Sequence, residues 1–182
     1  MELFGLYPQD EKMKELVGSI KTGKLNANAE KADGEYPFFT CDANPKRIDK
    51  YAFDTEAILV SGNGSQIGHI NYYNGKFNAY QRTYVLSDFS ERINIKYLLE
   101  YFKVFLKPYI VENSIGSAIP YITPPMLENF MISVPEIDVQ ERFVLFVEQS
   151  DKSKFDCQVT SNLNLSRCLK MYLLQSWATS VS

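Results

Sequence analysis

From Ala57 through Ser87 the chain contains no Asp or Glu, yet Asn63, Gln66, Asn71, Asn74, Asn78 and Gln81 fall inside that window with Lys76, Arg82 and four tyrosines. A primary amide matches the donor and acceptor pair on adenine, a guanidinium matches guanine, and a tyrosine hydroxyl bonds phosphate. A carboxylate would repel the nucleic-acid backbone. The window has the chemistry of a surface that reads base edges, with Asn63, Ser65, Gln66, Lys76, Tyr80, Gln81 and Arg82 as candidate contacts. The same residue types also make turns and strands, so an ordinary sheet accounts for them as well.

A second acid-free window, Asn113 to Leu127, carries Ser114 and Ser117 around Gly116, short polar groups on a loop able to approach a groove. Lys21 and Lys24, with Lys46, Arg47 and Lys50, offer positive charge to phosphates. Asp42, Asp49, Glu30 and Asp33 are near enough in sequence to neutralise it instead.

Other chemistries find little support. The lone His69 cannot build a histidine-rich metal site, and Cys41, Cys157 and Cys168 are scattered and odd in number, which suggests neither a disulfide framework nor a metal motif. Gly62-Asn63-Gly64-Ser65-Gln66-Ile67-Gly68 has its third glycine one residue late for a dinucleotide loop, and a strand is expected to follow it, not a helix. Thr123-Pro124-Pro125-Met126 has neither the Asp or Asn nor the aromatic that a base-flipping methyltransferase motif needs, and helix initiation explains it better. His69 with Ser61 or Ser65 lacks any nucleophile-elbow context.

The elements that must position the polar window can be read from periodicity. Strands are predicted over 36–40, 56–61, 66–73, 76–80 and 82–87, with Asn74-Gly75 as a type I′ hairpin turn. Tyr97, Leu98, Tyr101, Phe102 and Phe105 have helical spacing over 93–106, and Pro108 is expected to end that helix. Thr123 reads as an N-cap with Pro124 in the first turn of a short helix, ahead of a strand near 131–134. All nine glycines and eight prolines lie at or before Pro135. Residues 136–182 therefore read as one long helix, about 60 Å if continuous to Trp177 at roughly 1.5 Å per residue.

Val139, Phe143, Phe146 and Val147 form an apolar stripe early in that helix, and Leu165, Cys168, Leu169, Tyr172 and Leu173 form another near its end. Thr160-Ser161-Asn162 is a weak point between them. The expected fold is α+β: a compact domain over 1–135 with a mixed or antiparallel sheet, followed by a long C-terminal helix over 136–182.

At 182 residues, with 45% hydrophobic and 14% aromatic content, the chain can bury one core and an extension. A net charge of -3 argues against a generic nucleic-acid coat, so any DNA contact is expected to be local or shared with partners. With no secretory signal pattern and no long apolar run, a cytoplasmic, membrane-free protein is expected.

The order of motifs is more specific than any one of them. Ile20-Lys21-Thr22-Gly23-Lys24-Leu25-Asn26-Ala27, Tyr36-Pro37-Phe38-Phe39-Thr40, Ala57 to Gly64, Lys76 to Val85, Gly116-Ser117-Ala118-Ile119-Pro120, Ile132-Ser133-Val134-Pro135 and Gln140-Glu141-Arg142-Phe143 follow one another. In that order the chain resembles the specificity subunits of type I restriction-modification systems over roughly residues 15–175. The resemblance implies a target-recognition domain for double-stranded DNA and a conserved-region helix. It adds Thr22 to Lys21 and Lys24 as DNA contacts.

Members of that family usually carry two recognition domains and two helices, so the resemblance implies half of such a subunit. Two copies would pair through the helix as a homodimer and read a bipartite site, with Val139, Phe143, Phe146, Leu165, Leu169 and Tyr172 as the candidate oligomer and partner positions. It further implies a methyltransferase subunit that holds S-adenosylmethionine and methylates adenine N6, and a restriction subunit that uses ATP and Mg. This chain would bind no cofactor and catalyse nothing. The alternative is a recognition-defective scaffold or inhibitor that binds methyltransferase subunits; unchanged methylation patterns without the chain would favour it.

Overall fold

A computed structural model of the protein describes residues 7–114 and 121–156, the last six of these as backbone alone. The fold is α+β, built on a six-stranded mixed sheet. Strand β5 (Phe53–Ser61) is its centre, flanked by β7 (Thr83–Phe89) on one side and β6 (Ile70–Ala79) on the other. Outward from these lie β2 (Val17–Thr22) beside β7, and β3 (Tyr36–Phe39) then β4 (Lys46–Ile48) beyond β6. Every pairing is antiparallel except β3 with β6.

The central position of β5 explains its sequence. Ala57 to Ser61 are all buried, because both faces of the strand are covered and polar alternation is not required. Ile58 and Val60 enter the main core; Ala57 and Leu59 enter a second core with Phe39, Phe77, Ala79 and Val85. In the second core Phe77 meets Phe39 edge-on at 5.6 Å and stacks on Phe53 at 5.1 Å.

The register also requires the sheet to curl. Phe77 lies opposite Phe53 and Thr83 opposite Ser61. Along a flat strand those two β5 positions would stand about 26 Å apart, while the six residues from Phe77 to Thr83 span at most about 20 Å. The ends of the sheet must approach each other. An isolated parallel bridge between Leu25 and Tyr80 joins the segment after β2 to the end of β6.

The main core lies between this sheet and the helices. Helix α1 is the single turn Met13–Leu16, and α2 (Ile95–Asn113) supplies Tyr97, Leu98, Tyr101, Phe102, Leu106 and Ile110. The Asn94 side chain caps α2 by accepting from the amides of Lys96 at 2.9 Å and Tyr97 at 3.3 Å. Helix α3 (Pro124–Glu128) leads into β8 (Met131–Ser133), which pairs antiparallel with β1 (Gln9–Lys12) in a separate two-stranded ladder. Helix α4 (Ile137–Asp156) follows and buries Phe143 and Val144 in the same core.

Several local expectations are corrected. Asn74-Gly75 makes no hairpin: β6 runs unbroken through it, with Asn74 opposite Glu56 and Gly75 opposite Thr55. A reversal there would withdraw Phe77 and Ala79 from the second core, and Gly75 accommodates the continuation with φ +129°. The actual connection to β5 is the loop 62–69.

Pro108 does not end α2, which continues to Asn113. The ring is exposed, and the fully buried Leu106 and Ile110 on either side hold the helix together, each worth about 1.5 to 3 kcal/mol against a proline cost of about 3 kcal/mol. Thr123 occupies the N-cap position of α3 without a side-chain capping bond. Strands β1, β2 and β4 lay outside the predicted set.

Candidate functional site

The residues singled out for nucleic-acid contact come from segments far apart in sequence, and backbone hydrogen bonds tie most of them to one turn, Tyr80-Gln81-Arg82. The amide of Gln81 donates to Leu25 O at 2.9 Å, which secures the segment carrying Thr22 and Lys24. The amide of Gly62 donates to Arg82 O at 2.8 Å, which secures the loop carrying Asn63, Ser65 and Gln66. The amide of Tyr80 donates to Phe39 O at 2.9 Å, and Thr22 lies opposite Tyr84 in the β2–β7 ladder.

The closeness of these segments depends on two glycines. A Cβ on Gly23 would overlap the carbonyl of Ala79, and one on Gly62 would overlap the carbonyl of Arg82. Without side chains at both positions the three segments pack backbone to backbone, and the polar side chains on either side are left to project. Lys21, Thr22, Lys24, Ser65, Gln66, Gln81 and Arg82 are exposed, and Asn63 and Tyr80 are half-buried.

Two further contacts fix the surroundings. A Cβ on Gly68, at the end of the 62–69 loop, would lie 3.1 Å from the Ile110 side chain and 3.7 Å from Lys107, so the loop rests on the last turns of α2. Ile122 donates its amide to Gly62 O at 2.9 Å and accepts the buried Tyr84 hydroxyl at 2.8 Å. Burial raises the Tyr84 pKa above the usual phenol value, which keeps that hydroxyl protonated as a donor.

Not every predicted residue joins this cluster directly. Lys76 lies along β6, its ammonium 4.8 Å from the centroid of the Tyr51 ring in a cation–π contact. Ser114 follows the C-terminus of α2, its amide bonded to Val111 O at 3.4 Å. Ser117 lies outside the described residues. Lys46 is engaged by Glu30 at 2.7 Å and Asp42 at 3.6 Å, and Arg47 donates to the carbonyls of Gly34 and Glu35, so these two cations hold the β3–β4 region together.

Sequence reasoning missed the segment after β3. The Cys41 thiol lies 3.5 Å from Arg82 O, which brings Thr40, Cys41 and Asp42 against the same turn. Asp42 accepts from the Thr40 hydroxyl at 2.9 Å. Its signal was hidden because a carboxylate counts against nucleic-acid contact in a scan for acid-free windows.

The charge distribution separates this end from other faces. Among the described residues Lys21, Lys24 and Arg82 make no ion pair, so their charge is available to a ligand. By contrast, a groove of about 510 Å³ beside α2 and α4 is lined by Glu56, Glu141 and Glu148 with Lys96, a setting unfavourable to phosphate. No group of three or more His, Cys, Asp or Glu side chains among the described residues is arranged to hold a metal ion.

On helix α4, Phe143 is 7% exposed and meets Tyr97 edge-on at 5.7 Å, while Val139 and Phe146 are half-buried. Leu165, Leu169 and Tyr172 lie outside the described residues. No helix among the described residues is long and apolar enough to cross a membrane.

The family model for the type I restriction modification DNA specificity domain matches residues 9–165. The chain belongs to this family. As a specificity-domain protein it is 45% identical over 133 residues to the type I restriction enzyme EcoDI specificity subunit of Escherichia coli, covering 72% of this chain and 29% of that one. The solved type I S subunit from M. genitalium aligns with a TM-score of 0.63 and 17% identity, over 80% of this chain and 40% of that one.

The HsdS subunit from Thermoanaerobacter tengcongensis aligns with a TM-score of 0.62 and 18% identity, over 88% and 41%. A chain from a type I R-M system, solved to describe complex assembly and conformational transition, gives 0.63 and 20%, over 84% and 43%. The specificity fold is therefore shared, and this chain spans less than half the length of these relatives.

Proposed function

We propose that this chain is the non-catalytic DNA-reading component of a type I restriction-modification complex, and that it contacts double-stranded DNA through the end of the curled sheet. The observation that carries the reading is the convergence on Tyr80-Gln81-Arg82 of the segments bearing Thr22 and Lys24 and Asn63, Ser65 and Gln66. Amides and hydroxyls there suit base edges, and the unpaired Lys21, Lys24 and Arg82 suit phosphates or guanine.

In this reading the chain acts as a half-subunit, with the sheet domain as its recognition part and α4 as the start of its pairing part. Two copies, paired through α4 and through Leu165, Leu169 and Tyr172, would read two half-sites related by a two-fold axis. A methyltransferase subunit holding S-adenosylmethionine would modify adenine N6 at the target, and a restriction subunit would use ATP and Mg, all in the cytoplasm. This chain would bind none of these cofactors.

The test is a genome-wide map of N6-methyladenine in strains with and without the chain, beside a reconstituted complex offered random-sequence duplexes. A bipartite methylated sequence that disappears on deletion is the expected result. A reconstituted complex with no preference among sequences would overturn the reading.

A further inference from the structure

The Gln140 side chain is completely buried, although glutamine is among the residues most often left on surfaces. It makes three hydrogen bonds, all to the backbone of the segments around it. Its Nε2 donates to Arg92 O at 2.9 Å and to Pro135 O at 2.7 Å, and its Oε1 accepts from the Asn94 amide at 2.8 Å. Both amide hydrogens and the carbonyl are thus used.

Its partners are significant. Arg92 and Asn94 belong to the turn between β7 and α2. Asn94 is also the cap of α2, and Arg92 reaches β1 through a two-pronged contact with Glu11 at 2.7 and 3.2 Å. Pro135 is the last residue before the run that becomes α4. One side chain therefore bonds the start of the long helix to the place where the curled sheet, helix α2 and the β1–β8 ladder meet.

An apolar residue would fill the same volume without fixing direction, since packing is tolerant of rotation and three directed bonds are not. Farther along, Phe143 against Tyr97 and Lys96 with Glu148 at 2.6 Å keep α4 alongside α2, but both contacts depend on where the helix starts.

The structure assigns to Gln140 the role of positioning residue: it sets the direction in which α4 leaves the DNA-reading domain, and hence the gap between the two half-sites that a pair of chains reads. The second clause rests on the function proposed above; the first does not. Gln140 itself touches no DNA in this scheme and acts through the placement of α4.

Two measurements separate these parts. Spin labels at Asp49→Cys and Leu145→Cys, in a full chain whose native cysteines are replaced by serine and which is diluted with an excess of unlabelled chain, should give one narrow distance distribution. The added Gln140→Met substitution should broaden or shift it, and an unchanged distribution would overturn the assignment.

In complex with its methyltransferase subunits, the chain is then given duplexes bearing its selected half-site twice, inverted, with the gap varied by single base pairs. Gln140→Met should retain half-site binding while its preference for one gap flattens by about tenfold, equivalent to about 1.4 kcal/mol. Ile58→Val, which loosens the core at another point, serves as the stability control; an equal flattening in that variant would refute a specific role for Gln140. A wild-type complex with no gap preference would defeat the two-copy reading, while the spin-label result would still decide whether Gln140 orients the helix.

Discussion

The amide of Gln81 and the carbonyl of Leu25 are joined at 2.9 Å, although 55 residues of sequence lie between them and two strands, β7 and β5, separate β2 from β6 in the curled sheet. That bond fixes the segment after β2 to the turn before β7, and the proposed reading surface depends on their staying together. Gly23, two residues before Leu25, lets the backbones approach so closely. Gly23→Ala is expected to force them apart at a cost of about 1 to 3 kcal/mol, by analogy with overpacked cores, measured as a fall in the urea midpoint. DNA discrimination should fall with it.

Arg82 contributes its carbonyl to the fold and its side chain to solvent, so the two roles can be separated. Arg82→Ala should leave folding stability within about 0.5 kcal/mol, measured by thermal unfolding. In DNA binding it should cost about 1 to 3 kcal/mol at one position of the target if the guanidinium reads a base. A uniform loss across sequences would assign it to phosphate instead.

Lys24→Ala should behave in that second way. The expected signature is weaker binding to all duplexes and a salt-dependence slope shallower by about one, measured as affinity against salt concentration.

Tyr84→Phe removes the hydroxyl bonded to Ile122 O and leaves a buried carbonyl without its donor. The expected loss is about 1 to 3 kcal/mol in denaturant unfolding. Hydrogen exchange at the Ile122 amide, bonded to Gly62, should accelerate, because the same anchor holds both groups.

Alkaline pH tests the buried phenols together. Burial raises the pKa of Tyr97, Tyr101 and Tyr84. The folded state then holds its phenol protons more tightly than the unfolded state, so their contribution is fully present below the unfolded value near pH 10 and is lost as pH rises through the folded values. The denaturant midpoint should accordingly be insensitive to these groups at neutral pH and fall above about pH 10.

What could be read in the sequence follows from the range over which each signal acts. Helix α2, the start of α3 and strand β8 announce themselves within a few residues, through the Tyr97-Leu98-Tyr101-Phe102 spacing, Pro124 and the apolar run ending at Ser133. The acid-free window is legible because electrostatic suitability is a property of composition, and the structure bonds its turn Tyr80-Gln81-Arg82 to the 62–69 loop and to the segment after β2. Asn74-Gly75 misleads because its local preference for a turn is overridden by eight residues of pairing with β5 and by Phe77 in the second core. The proximity of Thr22, Asn63 and Arg82 was also beyond a local reading: it arises from the curl of the sheet and the space left by Gly23 and Gly62. Asp42 was passed over because its sign was judged without knowing which side chains surround it.

The β1–β8 ladder has a consequence for how such a protein changes over time. Gln9–Lys12 and Met131–Ser133 lie side by side, so the chain enters and leaves the intervening domain at one place, just before α4. Residues 13–130 form, in effect, a closed loop on a two-stranded stem. Under the function proposed above, exchange of that loop for another of different sequence, cut at the stem, would change the DNA preference and leave the launching point of the helix where it was.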